Sequence, residues 1–160
     1  MNNEVAEELL ILPITYDVPY HWSTGHFLGR FYQELRDSAT IYGDICPKCG
    51  YCLVPPRILC PRCRVRMGDW IKLGPKGTVL CYSVVEQSFW DPHEAKMRPV
   101  PYTHAYLQLD GPLGGAFSHI LEEIDPEKLK IGMRVEAVFK PREQRIGHLT
   151  DILHFRTIDE

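Results

Sequence analysis

The sequence contains no apolar run near the ~18–20 residues that a membrane-spanning helix requires; a stretch such as Leu9–Leu12 stops far short of it. Its start, Met1-Asn2-Asn3-Glu4-Val5-Ala6-Glu7-Glu8, lacks the basic residues that open a secretory signal. These two absences predict a cytoplasmic chain with no membrane partner. Nothing in the chain points to an oxidising compartment, so its six cysteines are expected to bind metal or stay free and not to pair as disulfides. A large net charge is missing too: 18 Lys+Arg against 21 Asp+Glu leave −3. Nucleic-acid modules are usually basic throughout, so this balance counts against a nucleic-acid partner. Gly and Pro, at 12 and 13 in 160 residues, favour turns over long helical bundles. An apolar content of 44% allows a core, in one or two small domains.

The near-neutral total conceals a pattern. Residues 1–44 carry net −5, residues 45–76 carry net +6, and residues 77–160 carry net −4. The basic block is Lys48, Arg57, Arg62, Arg64, Arg66, Lys72 and Lys76 against the single Asp69. A short basic block between acidic segments suggests a local anion-facing surface.

That block surrounds the strongest motif. Cys46-Pro-Lys-Cys49-Gly-Tyr-Cys52 is followed by Cys60-Pro-Arg-Cys63. Two C-x-x-C knuckles ten residues apart present four thiolates, Cys46, Cys49, Cys60 and Cys63, in a spacing that suits a closed tetrahedral zinc site. A Cys₄ set leaves no open position for water or substrate, so the zinc is expected to be structural. Iron is the less favoured alternative for the same ligands. Part of the basic block then offsets the −2 charge of four thiolates around Zn²⁺. Cys52 falls outside the paired knuckles and reads as free or packed; Cys81 lies in a strand pattern and reads as core.

Periodicity supplies the rest of the architecture. Residues 1–22 form an extended arm with one apolar anchor, Leu9–Ile14. Ser23 or Thr24 caps a helix to about Asp37. On it Phe27, Phe31 and Leu35 recur at i, i+4 and i+8, as a stripe that serves either its own core or a partner-docking face. From Gly77 the pattern turns to strands: Thr78–Val85, Tyr102–Leu109 with Ala105, Leu107 and Leu109 on one face, Ala116–Leu121, Met133–Phe139 with alternate residues inward, and about His148 to Ile158. A short helix of one or two turns is expected from Asp125-Pro126-Glu127, ending near Ile131-Gly132, before the fourth strand. The fold class is therefore mainly β with an N-terminal helix: a rubredoxin-like zinc ribbon followed by a five-stranded OB-fold barrel. The expected divisions are 1–44 for arm and helix, 45–73 for the ribbon and 74–160 for the barrel.

Several motifs in this order carry a resemblance. They are Phe31-Tyr32, Cys46-x-x-Cys49-Gly50, Pro55-Pro56-Arg57, Cys60-Pro61-x-Cys63, Trp70, Gly77-x-Val79 and Ile131-Gly132-Met133-x-Val135. Together they resemble the zinc-ribbon/OB-fold acyl-CoA-associated family, long catalogued as a domain of unknown function. The resemblance implies a non-catalytic subunit that docks on a larger thiolase-like enzyme, in a hetero-oligomer with two copies of each. There it helps to form or gate the CoA or acyl-CoA site. The longer arm resembles small subunits beside thiolases of anaerobic aromatic degradation, including benzoylsuccinyl-CoA thiolase of toluene breakdown.

The residues supply candidates for those roles. CoA carries phosphates, and Arg57, Arg62, Arg64 and Lys76 are the cations placed to meet them or an acidic partner; an ordinary solvated charge is the plain alternative for each. The long loop Gln87–Pro101 carries Trp90, which could stack on a ligand, wedge into a partner or fold back over the barrel end. No independent thiolase activity is expected from so short a chain. Two other classes stay open: a zinc-ribbon/OB protein that binds single-stranded nucleic acid, and a stand-alone acyl-CoA-binding protein.

Overall fold

The computed structural model describes residues 13, 21–91 and 95–159. The arm expected over residues 1–22 lies outside the described residues, apart from Pro13, His21 and Trp22. Helix α1 spans Gly25–Ser38. It starts where expected, but the first turn is tied by Ser23, whose Oγ accepts from the Gly25 N–H at 3.2 Å, and Thr24 makes no side-chain cap. Ala39 ends the helix in the left-handed region at φ 49°, and its N–H donates to Leu35 O at 3.2 Å.

The stripe on α1 divides. Phe31 and Leu35 are both 0% exposed and belong to the main core, so neither is available for docking. Each contributes on the order of 1.5–3 kcal/mol by leaving water. That corrects two thirds of the docking face read from the spacing. Phe27, one turn nearer the N-terminus, stays half-buried beside Trp70.

A three-stranded sheet follows: β1 (Ile41–Ile45), β2 (Cys52–Leu53) and β3 (Trp70–Leu73), in the order β2-β1-β3 with antiparallel pairs. It forms the base of the ribbon. Strand β4 (Lys76–Val85) then enters the barrel, and β5 (Trp90–Asp91) and β6 (Lys96–Met97) form a small separate hairpin. The barrel is completed by β7 (Tyr102–Leu109), β8 (Phe117–Leu121), β9 (Arg134–Phe139) and β10 (Ile152–Thr157).

Five strands close in the order β10-β8-β7-β4-β9, with β8 and β10 parallel and every other neighbour antiparallel. This is the Greek-key barrel of an OB fold. The alternation seen in the sequence is what fills it: Ala105, Leu107 and Leu109 from β7, and Val135 and Ala137 from β9, all point inward with Phe117 and Phe155. The same core continues into α1 and the ribbon base through Phe31, Leu35, Ile41 and Leu73.

Three local expectations are corrected. Asp125 does not start a helix. Its Oδ1 accepts from the Glu127 N–H at 3.0 Å and its carbonyl from Lys128 and Leu129, which closes a single turn. Cys81 is exposed and not core, because a bulge between Val79 and Cys81 shifts the register and leaves Leu80 and Cys81 both outside. The last strand begins at Ile152 and not near His148. Buried Asp151 accepts from the N–H groups of Ile146, Gly147 and His148 at 3.0, 2.7 and 3.2 Å and curls that segment into a 3₁₀ turn. No described helix is long and apolar enough to cross a membrane.

Candidate metal centre and adjoining cleft

The two knuckles are built alike. In the first, Gly50 N–H donates to Cys46 O at 2.9 Å and Cys46 N–H to Tyr51 O at 3.0 Å. In the second, Arg64 N–H donates to Cys60 O at 2.8 Å and Cys60 N–H to Val65 O at 2.9 Å. Each turn leaves the residue after its second cysteine in the left-handed region, Gly50 at φ 69° and Arg64 at φ 57°. Glycine takes that conformation freely, whereas an L side chain does so under strain. Arg64, one of the four candidate CoA contacts, therefore has a backbone position set by the knuckle.

The folding of both turns brings Cys46, Cys49, Cys60 and Cys63 together, all four sulfurs lying within 4.8 Å of one another and those of Cys49 and Cys60 3.9 Å apart. Tetrahedral Zn–S bonds of ~2.3 Å place sulfurs about 3.8 Å apart, so the set fits such an ion. The Cys63 thiol is pushed up to about 12, first through its hydrogen bond with Cys49 and then through burial and Cys46. A metal ion held there would take the place of the thiol protons. A small second core of Leu53 and Met67, with Tyr51 and Val65, packs around the ligands. Among the described residues no other group of three or more His, Cys, Asp or Glu could share an ion.

Cys52 stands apart. It is 2% exposed, and burial followed by the nearby Asp44 carboxylate pushes its thiol up to about 11. Its sulfur fills space that Gly43 leaves open: a Cβ on Gly43 would sit 2.7 Å from it. Cys52 also joins ribbon to barrel. Its carbonyl accepts from Gly115 N–H at 2.8 Å, and a Cβ on Gly114 would lie 2.1 Å from that carbonyl oxygen. The Gly114-Gly115 pair, read in the sequence as the lead into a strand, is thus a point of close backbone approach between the two regions.

The basic residues disperse. The Arg62 guanidinium lies 3.7 Å over the Tyr51 ring, close to the ligand cage. Lys76 opens β4 and helps to hold the Asp110 carboxyl low, after the larger effect of the Arg134 hydrogen bond. Arg57 faces elsewhere: with Arg66 and His26 it lines a cleft of about 880 Å³ between α1 and the second knuckle. One wall carries Phe27, Leu28 and Tyr32, the other Pro56, Ile58 and Leu59. The second wall exists because Leu59 pairs with Arg66, and Met67 N–H donates to Ile58 O at 3.0 Å. Behind it the Arg57 N–H donates to buried Asp44 Oδ2 at 3.0 Å, and burial pushes that carboxyl up to about 6. Sequence reasoning named Phe27 and Arg57 for separate roles and missed that they share this cleft. The exposed dipeptide Ile58-Leu59 was the available signal.

Trp90 sits on the β5–β6 hairpin and is 58% exposed, with Phe89 and Met97 also exposed. The hairpin base is held by Ser88 Oγ donating to Arg98 O at 2.6 Å and by Arg98 stacked 4.8 Å from the Tyr102 ring.

A four-sulfur ribbon joined to a closed OB barrel is the class of protein that this architecture defines. The profile described as "ChsH2, C-terminal OB-fold domain" matches residues 70–140. A DUF35 domain-containing scaffold protein of Methanocaldococcus jannaschii is 33% identical over 69% of this chain and 75% of its own length. Its counterpart from Methanothermobacter thermautotrophicus is 31% identical over 72% of this chain and 84% of its own. The chain belongs to the DUF35 family. In fold it is similar to a chain of a structure described as "Ltp2-ChsH2(DUF35) aldolase", with a TM-score of 0.55 at 24% identity over 81% of this chain and 93% of that one. A DUF35 protein of unknown function from Sulfolobus solfataricus gives a TM-score of 0.53 at 19% identity, over 80% of this chain and 81% of that one.

Proposed function

We propose that this chain is a non-catalytic, zinc-binding subunit that docks on a larger thiolase-type acyl-CoA enzyme. There it helps to form or gate the CoA or acyl-CoA site during thiolytic cleavage of a 3-oxoacyl-CoA, with benzoylsuccinyl-CoA as the first substrate to test. The observation that carries this reading is family membership. The relatives that match most of this chain are named scaffold proteins, and the solved structure with a chain of the same fold is described as an Ltp2-ChsH2(DUF35) aldolase. A scaffold acts by contact, and this chain offers contact surfaces: the cleft beside the ribbon and the exposed Trp90 hairpin.

The four thiolates suit Zn²⁺, one ion per chain, with no position left for substrate. Its role is to hold the two knuckles and, through them, the wall that bears Arg57, Ile58 and Leu59. Arg57, Arg62, Arg64 and Lys76 are the cations available to CoA phosphates or to an acidic partner, Trp90 is available to either, and Phe27 is an apolar partner contact. The reducing cytoplasm is where such a thiolate site persists.

The experiment is capture of the tagged full chain from its source cells, then an assay of the purified parts. Expected are co-purification of a thiolase-sized subunit and 3-oxoacyl-CoA thiolysis only when both chains are present. Changing Arg57, Arg62, Arg64 and Lys76 together to Ala is expected to weaken CoA binding or complex formation. Thiolysis by this chain alone, or co-purification of nucleic acid in place of a protein, would contradict the proposal.

A further inference from the structure

The cleft between α1 and the second knuckle combines two features, an apolar wall and a basic lining. Its walls are apolar and open to solvent, with Ile58 54% and Leu59 56% exposed. Contiguous exposed apolar surface of this kind marks a contact site. The basic side chains that line it are His26, Arg57 and Arg66, and no carboxylate stands among the described lining residues. Neither guanidinium has a side-chain partner among the described residues. Arg62 covers Tyr51, Arg30 covers Trp70 at 4.5 Å and Arg145 donates to Leu35 O, whereas Arg57 and Arg66 make no side-chain hydrogen bond, ion pair or ring contact among the described residues. Two unspent cations flanking an apolar trough are complementary to apolar side chains flanked by carboxylates.

We infer that this cleft receives an amphipathic acidic segment of the partner enzyme, its apolar face against Phe27, Ile58 and Leu59 and its carboxylates on Arg57 and Arg66. The inference rests on the partner-subunit reading and names the surface and the chemistry of the contact. It also gives the +6 block a second use beyond balancing the thiolates. The cleft wall belongs to the knuckle, so the ion that closes the knuckle also shapes the docking site.

The test uses the zinc-loaded full chain and two labelled synthetic helical peptides. One carries Leu along one face with Glu on the flanks; the other has every Glu replaced by Lys. Fluorescence anisotropy at low salt is expected to show the acidic peptide binding at least about tenfold tighter than the basic one, a difference of ~1.4 kcal/mol. The double variant Arg57→Glu/Arg66→Glu, checked for unchanged zinc content, is expected to reverse that preference. Should it fail to hold zinc, Arg57→Gln/Arg66→Gln replaces it and is expected to erase the preference. Leu59→Asp is expected to abolish binding of both peptides. Equal binding of the two peptides by the unaltered chain, or a preference that survives charge reversal, overturns the inference. So does displacement of the acidic peptide by CoA, which makes the cleft a nucleotide site. A tenfold gain in peptide affinity on changing Glu4, Glu7 and Glu8 to Lys also overturns it, because this chain's own acidic segment is then the occupant.

Capture with the same variants separates the two levels. If the unaltered chain retains the larger subunit and the charge-reversed chain loses it, both readings stand. If both retain it, the cleft assignment falls and the subunit reading survives. If the unaltered chain captures nothing but still prefers the acidic peptide, the subunit reading falls and the cleft's specificity stands.

Discussion

The ribbon and the barrel solve the same stability problem by different means. The barrel closes on itself, leaves no open sheet edge and buries Phe117, Phe155, Leu107, Val135 and Ile152 almost completely. The ribbon tip has four buried apolar residues, two of which belong to the four-cysteine cluster. So small a core offsets little of the entropy of ordering residues 46–67, and an ion held by that cluster would supply the difference. The contrast extends to function. The barrel strands also leave Leu80, Tyr106 and Leu153 exposed, whereas the ribbon sets Ile58 and Leu59 beside Arg57 and Arg66 in one cleft against α1. The part whose four cysteines could hold an ion is also the part that walls the cleft.

The largest effect should come from removing that ion. Chelation, or Cys60→Ser, is expected to withdraw on the order of 10 kcal/mol of metal-coupled folding from the tip. Trypsin should then cut rapidly at Arg57, Arg62, Arg64 and Arg66, while the barrel keeps its cooperative thermal transition. Simultaneous loss of both would erase the distinction between the regions. Phe117→Ala is the opposite experiment. Its ring is 1% exposed and packs against His119 and Phe155, so the change should cost ~3–5 kcal/mol in denaturant unfolding. Zinc content measured on the folded fraction should stay at one per chain.

Gly114→Ala probes the seam. The new Cβ meets the Cys52 carbonyl, backbone against backbone, and a loss of about 1–3 kcal/mol is expected. Because the strain falls on β2 as well as on the barrel loop, metal release by a competing chelator should accelerate too. An unchanged release rate would show that the seam does not couple the regions. The smallest effect is a gain. Arg64→Gly relieves a left-handed residue in the second knuckle and copies the first, which should raise tip stability by up to about 1 kcal/mol, read as slower tryptic cleavage at Arg57 and Arg62.

How legible the molecule was in its sequence follows the same division. The four sulfurs converge because C-x-x-C is a local turn, readable within four residues, and the barrel strands show because burial on one face imposes a period of two. Context defeated the reading elsewhere. Cys81 looks like a core position until a bulge opposite Tyr106 turns it out. His148–Asp151 resembles the start of a strand, but one buried carboxylate that gathers three N–H groups makes it a turn. Phe31 and Leu35 had two plausible destinations, and only the position of the barrel and ribbon base decided for the core. The cleft was least visible, because Phe27 and Ile58 lie 31 residues apart in the chain and no periodic pattern connects them.

The account's central claim is that this chain is a metal-organised accessory subunit. Native mass spectrometry of the assembly captured on the tagged full chain, without added metal, tests it most directly. The account predicts an 18.5 kDa chain, with the mass of its tag added, carrying one zinc ion and associated with a larger subunit in equal numbers. A metal-free chain that runs alone, with its cysteines oxidised to disulfides, would contradict it.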